Sequence, residues 1–219
     1  MIFKTYSEMQ VEVLTQTPNP RGIVSTGLQT CMKKDITNNK VTGDQCQYLI
    51  SAGHQSPLEH VSMTIYVKGI SRSLLAQITR HRTFKFTASS QHYQNYSDYE
   101  MVISSDYIYD DEFEKCLMTS LSAYARAIDR GILREEARQL LPNAMAVNLM
   151  ITADARNMIN FFRQRRCLRN VEEMVIFADT WWKKAVQWFP ELFMEVGAPC
   201  YMTGKCTQGK MKAEICKEK

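Results

Sequence analysis

The chain lacks any apolar run near the roughly 20 residues that a membrane-spanning helix requires. Its opening, MIFKTYSEMQVEVL, has neither the apolar core nor the small-residue cleavage site of a secretory signal, so a cytoplasmic protein without a membrane partner is expected. There is no GxGxxG turn and no GxxxxGK[ST] loop, which removes both common nucleotide-cradling loops. The absence of GxSxG removes the nucleophile elbow of a serine hydrolase. Charge of one sign is also scarce: 27 Lys and Arg stand against 23 Asp and Glu, a net +4. That balance suits small anionic ligands and falls short of a nucleic-acid surface unless a patch concentrates it.

Cysteine is present seven times, at irregular spacing and without a CxxC pair. In a reducing compartment these read as mostly reduced core thiols. The tail PCYMTGKCTQGKMKAEIC could form a three-thiol knuckle, but no CxxC pair or nearby His supports one and no metal is expected. Histidine occurs four times, and His54 and His60, six apart across Pro57, have poor metal spacing.

No internal repeat or low-complexity segment interrupts the 219 residues, and a single domain is the simplest organisation, with a Cys-bearing tail from about residue 197. VEVLTQ alternates as a strand and meets a Pro/Gly turn at TPNPRG. DQCQYLISAGHQSP reads as a helix ending near Gly53. HVSMTIYVKG alternates, with Val61, Met63, Ile65 and Val67 on one face and Gly69 closing the strand. SRSLLAQITRHR has helical spacing at Leu74, Leu75 and Ile78 and places Arg80 near the C-terminal end. Helices are expected over DEFEKCLMTSLSAYARAID, stopping at Gly131, and over REEARQLL, ARNMINFFRQRR and VEEMVIFADTWWKKAVQWF; AVNLMITAD reads as a strand. The Trp181–Trp182 pair falls on the apolar stripe of the last helix and reads as core or subunit interface. Strands mixed with long helices indicate an α+β fold, a mixed sheet flanked by helices.

Four clusters carry polar chemistry: GHQSPLEH (53–60), RHRTFKFTASSQHY (80–93), EEARQLLPNA, and DARNMINFFRQRR (154–166). In the last, Arg156, Asn160 and Arg163 share a helix face, with Arg165 off it. A helix C-terminus accounts for cations such as Arg80 and Arg82 through its macrodipole, but not for the polar segment after them. From the residues alone, the reading is a multi-arginine site for a phosphorylated ligand.

Taken in order, these clusters resemble the flavin-dependent thymidylate synthases, whose signature is Arg-His-Arg, a spaced Ser, then Arg-Tyr. The match falls at Arg80, His81, Arg82, Ser90 and Tyr93, and the other three clusters resemble further family segments in the same order. The resemblance implies that Ser56, Arg80, His81 and Arg82 hold FAD, helped by Arg156, Asn160 and His54, with Asp154 beside the flavin. It implies that Gln77, Arg80, Ser90 and Arg138 hold the nucleotide dUMP, and that Arg165 sits at the uracil ring as the catalytic residue. Reductive methylation of dUMP to dTMP is the implied reaction, with methylenetetrahydrofolate as carbon donor and FAD reduced by NADPH. A homotetramer with shared active sites is implied as well.

Departures from the family pattern are Lys85, Thr87 and Ala88, His92 in place of Arg, and Asp154 in place of Asn. An unperturbed His is mostly neutral at pH 7, so a phosphate contact by His92 is expected to weaken as pH rises. These changes leave dCMP or UMP open as the nucleotide. A basic nucleic-acid-binding module is a remote alternative that predicts steep salt dependence and no flavin. The unrelated nucleophile-using class of thymidylate synthase would need Cys200 as its thiol, for which a structural role is the better reading.

Overall fold

A computed structural model describes residues 2–91, 100–211 and 216. In chain order the elements are β1 (Ile2–Thr5), β2 (Gln10–Gln16), α1 (Pro20–Cys31), α2 (Gly43–Ser51), β3 (Ser62–Ser71), α3 (Arg72–Ile78), β4 (Lys85–Ala88) and β5 (Glu100–Ile103). They continue with α4 (Asp111–Asp129), α5 (Arg134–Ala137), β6 (Ala146–Asp154), α6 (Ala155–Arg165), α7 (Glu172–Trp188), α8 (Pro190–Phe193) and α9 (Pro199–Thr203). One sheet has the order β2-β3-β6-β4, and β1 pairs with β5 in parallel. Backbone bonds Ala155 to Val61 and Arg72 to Met145, just beyond the ends of β3 and β6, mark those two strands as antiparallel. The α+β expectation is borne out, with both parallel and antiparallel pairing present.

Two elements differ from the sequence reading. TPNPRG is not only a turn. Asn19, at φ 49°, caps Gly22 with its side chain and Pro20 occupies the first helical turn, so α1 begins there. Gly69 does not close β3: at φ 74° it sits within a strand that runs on to Ser71, a conformation glycine adopts without a Cβ penalty.

The chain divides into two compact units, 1–10 with 67–80 and 86–150, and 11–66 with 81–85 and 151–219. In the first unit, Lys4 and Glu100 form an ion pair (2.7 Å) across the β1–β5 pair. Helix α4 starts at Asp110, whose carboxylate accepts from the Phe113 amide, with Asp111, Glu112 and Glu114 at the positive end of the dipole. Its stripe Leu117, Leu121, Tyr124 and Ala127 packs with Met101, Ile103, Ala137 and Met145. The helix ends ahead of Gly131 at φ 80°.

In the second unit the core is aromatic. Buried Met174, Phe177, Ala178, Trp181 and Ala185 recur at helical spacing on α7. Trp181 is the hub, with ring centroids of Phe84, Phe161, Phe162 and Phe177 at 5.5, 5.2, 5.5 and 5.8 Å, mostly tilted or edge-on as ring quadrupoles favour. Trp182, half-buried, donates to the Phe193 carbonyl at 2.7 Å and carries the Arg166 guanidinium 3.7 Å above its ring. The Trp pair is therefore structural, as expected. Helix α1 lies hard against the 56–60 turn: a Cβ on Gly27 would stand 2.8 Å from Pro57 Cβ.

The cysteines do not conform to the core reading. Cys46 alone among the described cysteines is buried; Cys31, Cys116 and Cys206 are exposed and the rest are half-buried, all with free thiols.

Candidate active site

Helix α6 sets the arrangement. Asp154 caps it, accepting from the Asn157 amide at 2.9 Å and from the Asn157 side chain at 2.6 Å. Ala155, Met158, Ile159, Phe161 and Phe162 are buried on one stripe, which leaves Arg156 and Asn160 exposed on the other side. The carboxylate at position 154 thus has a local structural use.

At the far end of α6, Arg165 is held by two partners. Its Nε donates to His81 Nε2 at 2.9 Å, and its Nη1 donates to Asn170 Oδ1 at 3.2 Å. Asn170 is fixed in turn by donating to the carbonyls of Gln164 (2.8 Å) and Cys167 (2.9 Å). A guanidinium carries five N–H donors, so these two bonds orient Arg165 and leave donors for a ligand. Burial pulls its pKa below the usual arginine range, which does not deprotonate it at neutral pH.

Because Nε2 of His81 accepts, that ring is neutral with its proton on Nδ1. Burial, and then the Arg165 charge, lower its pKa from 6.5 to about 4. The ring stacks on Phe84 (5.5 Å) and meets Phe161 edge-on (4.9 Å). A depressed histidine couples to stability with a definite sign. Between pH 6.5 and about 4 the unfolded chain binds the proton and the native ring does not. His81 therefore destabilises the fold as pH falls through that window. Urea midpoints should drop from pH 6.5 to 4, and His81→Asn should flatten part of that slope; equal slopes would contradict the neutral assignment.

The other residues expected at the site are placed as follows. In the second unit, Arg156 pairs with Glu59, and both side chains are nearly half exposed. His54, Ser56 and Arg82 are exposed, and Ser56 lines a cavity of about 440 Å³ together with Ile23, Thr26, Thr30 and His60. In the first unit, Gln77 is half-buried on α3, Arg80 is exposed beyond its end, and Ser90 and Arg138 are exposed. His92 lies outside the described residues. Sequence reading missed Asn170, which carries no signal beyond following a turn, and Glu59 and Phe84, which lay inside quoted clusters without an assigned role.

The model of the family "Thymidylate synthase complementing protein" matches residues 12–191. The flavin-dependent thymidylate synthase of Clostridium tetani is 31% identical, over 93% of this chain and 92% of that protein. The one from Geobacter sulfurreducens is 30% identical, over 93% of each. In fold, the chain is similar to the UMP/dUMP methylase PolB from Streptomyces cacaoi, solved with 5-bromo-dUMP, at a TM-score of 0.75 and 21% identity, over 89% of this chain and 96% of that one. With a family model spanning most of its length and relatives matched nearly end to end, the chain belongs to the flavin-dependent thymidylate synthase family of enzymes.

Proposed function

We propose that the protein catalyses reductive methylation of dUMP to dTMP, with methylenetetrahydrofolate as carbon donor and FAD, reduced by NADPH, as hydride carrier. The observation that carries this reading is Arg165, a permanently charged donor fixed by a neutral His81 and by Asn170. A cation with oriented spare donors favours the N3-deprotonated form of uracil, which makes C5 more electron-rich. Fixing the donors before the nucleotide arrives avoids reorganisation during the reaction.

The donor set in the second unit fits a flavin nucleotide. Arg82, Arg156, Asn160, Ser56 and His54 are exposed hydrogen-bonding groups, and Ser56 borders a cavity of about 440 Å³. Among the described residues, Arg156 is tied to exposed Glu59. Surface pairs of this kind contribute about 0–1 kcal/mol, so a diphosphate can take the guanidinium over at small cost. Asp154 serves the flavin by holding the start of α6, since its oxygens are engaged by Asn157. When bound, the flavin supplies the hydride; the protein's part is to bind, orient and stabilise charge.

Gln77, Arg80, Ser90 and Arg138 are assigned to dUMP, with His92 as a further phosphate contact and Arg80 reaching FAD as well. Arginine suits both phosphate and pyrimidine edges through its planar fork. The active enzyme is assigned as a homotetramer with active sites shared between subunits.

The test is the visible spectrum of the protein with FAD, titrated with dUMP and then with dCMP and UMP. A flavin band perturbed by dUMP supports the assignment. A response confined to dCMP or UMP would change the substrate, and no flavin binding would overturn the reading.

A further inference from the structure

Away from these residues, four cysteines line one cavity of about 430 Å³ in the second unit: Cys167, Cys200, Cys206 and Cys216. Local structure brings them there. Cys167 follows α6, Cys200 lies in α9, and Gly204 at φ 70° ends α9 ahead of Cys206. Arg169 ties the tail down, donating to Gln208 Oε1 at 2.6 Å and reaching Met211 Sδ at 3.3 Å. Arg166 braces the wall through Asp179 and through the Val196 carbonyl (2.6 Å). The expectation of no metal counted only the three tail thiols; the fold adds a fourth from a distant segment.

We propose that Cys167, Cys200, Cys206 and Cys216 form a structural centre for a thiophilic metal, which staples the tail to the α6–α7 connection. Four thiolates are a complete donor set for tetrahedral zinc, with Zn–S near 2.3 Å, and equally for an iron–sulfur cluster. Each thiol releases its proton on binding, so no oxidant or reductant is involved in taking up zinc. Zinc with four thiolates carries a net charge of about two minus, which Arg166 and Arg169 on the same wall offset. Among the described residues no three metal-ligating side chains stand at mutual binding distance, so uptake draws the sulfurs inward across the cavity.

The experiment is elemental analysis of the full chain purified under reducing, anaerobic conditions, followed by Co²⁺ titration and by alkylation of the wild-type protein with and without Zn²⁺. About one zinc per chain is expected, or one Co²⁺ with thiolate charge-transfer absorption. Cys167→Ser and Cys206→Ser should each lower metal content severalfold, whereas Cys31→Ser, outside the cavity, should not. Zinc should also slow alkylation of the four cysteines in the wild-type chain, a readout that survives a misfolding variant. Iron with acid-labile sulfide, lost in the same variants, would equally support the four-thiolate centre. Absence of metal uptake, unchanged metal content in Cys206→Ser, or disulfides among the four would overturn it.

Discussion

Arg165→Ala is expected to lower turnover of dUMP by about 10²–10³-fold, the usual range for removing one preorganised donor from a reacting centre, while flavin binding and fold survive. The expectation rests on how Arg165 is held. Its partners, His81 and Asn170, serve orientation, and it is half-buried at the end of α6 rather than one of the fully buried side chains around Trp181. Arg165→Lys should recover little, because a lysine retains the charge but not the fork that satisfies His81 and Asn170 together. A loss in kcat and kcat/KM of equal size would place the interaction in the transition state. Loss of flavin, or a cooperative unfolding transition that disappears, would make Arg165 a structural residue. Asn170→Ala should show a milder version of the same kinetic change, since it loosens the guanidinium without removing it.

The second large effect is on stability. Trp181→Ala should cost about 3–5 kcal/mol, the range for removing a buried Trp or Phe, because four aromatic rings from two helices and the 81–85 segment converge on it. For a chain of this size that is roughly a 10 °C fall in Tm. His81 stacks on Phe84, which itself meets Trp181 edge-on. The same variant should therefore release His81 and raise its pKa toward 6.5, readable by NMR titration. A loss below about 1 kcal/mol, the level of ordinary surface changes, would mean that the hub is not the core of that unit.

The elements that were legible in the sequence were those with a strong period and a clear stop. Helix α4 had Asp110 before it and Gly131 after it; α7, a helix of seventeen residues, had an apolar stripe from Met174 to Ala185. Helix α1 was not legible because its middle, GIVSTGLQT, has two glycines and two threonines, all weak helix formers. Packing of Gly27 on Pro57 shows what that glycine serves: a close approach that no propensity records. At the site, the arginines and His81 could be picked out by type and motif. Their mutual arrangement could not, since the Arg165–His81 bond joins residues 84 apart in the chain. Nor does the sequence around Cys167 signal that its thiol lines a cavity with three cysteines of the tail.

Whether hydride comes from the flavin and not from the folate is read by analysing both products of a reaction with dUMP, methylenetetrahydrofolate, FAD and NADPH. If reduced flavin supplies the hydride, the folate gives up only its one-carbon unit and leaves as tetrahydrofolate. The expected result is therefore dTMP and tetrahydrofolate in equal amounts, formed only when FAD is present. Dihydrofolate appearing in step with dTMP, or dTMP formed without FAD, would contradict it.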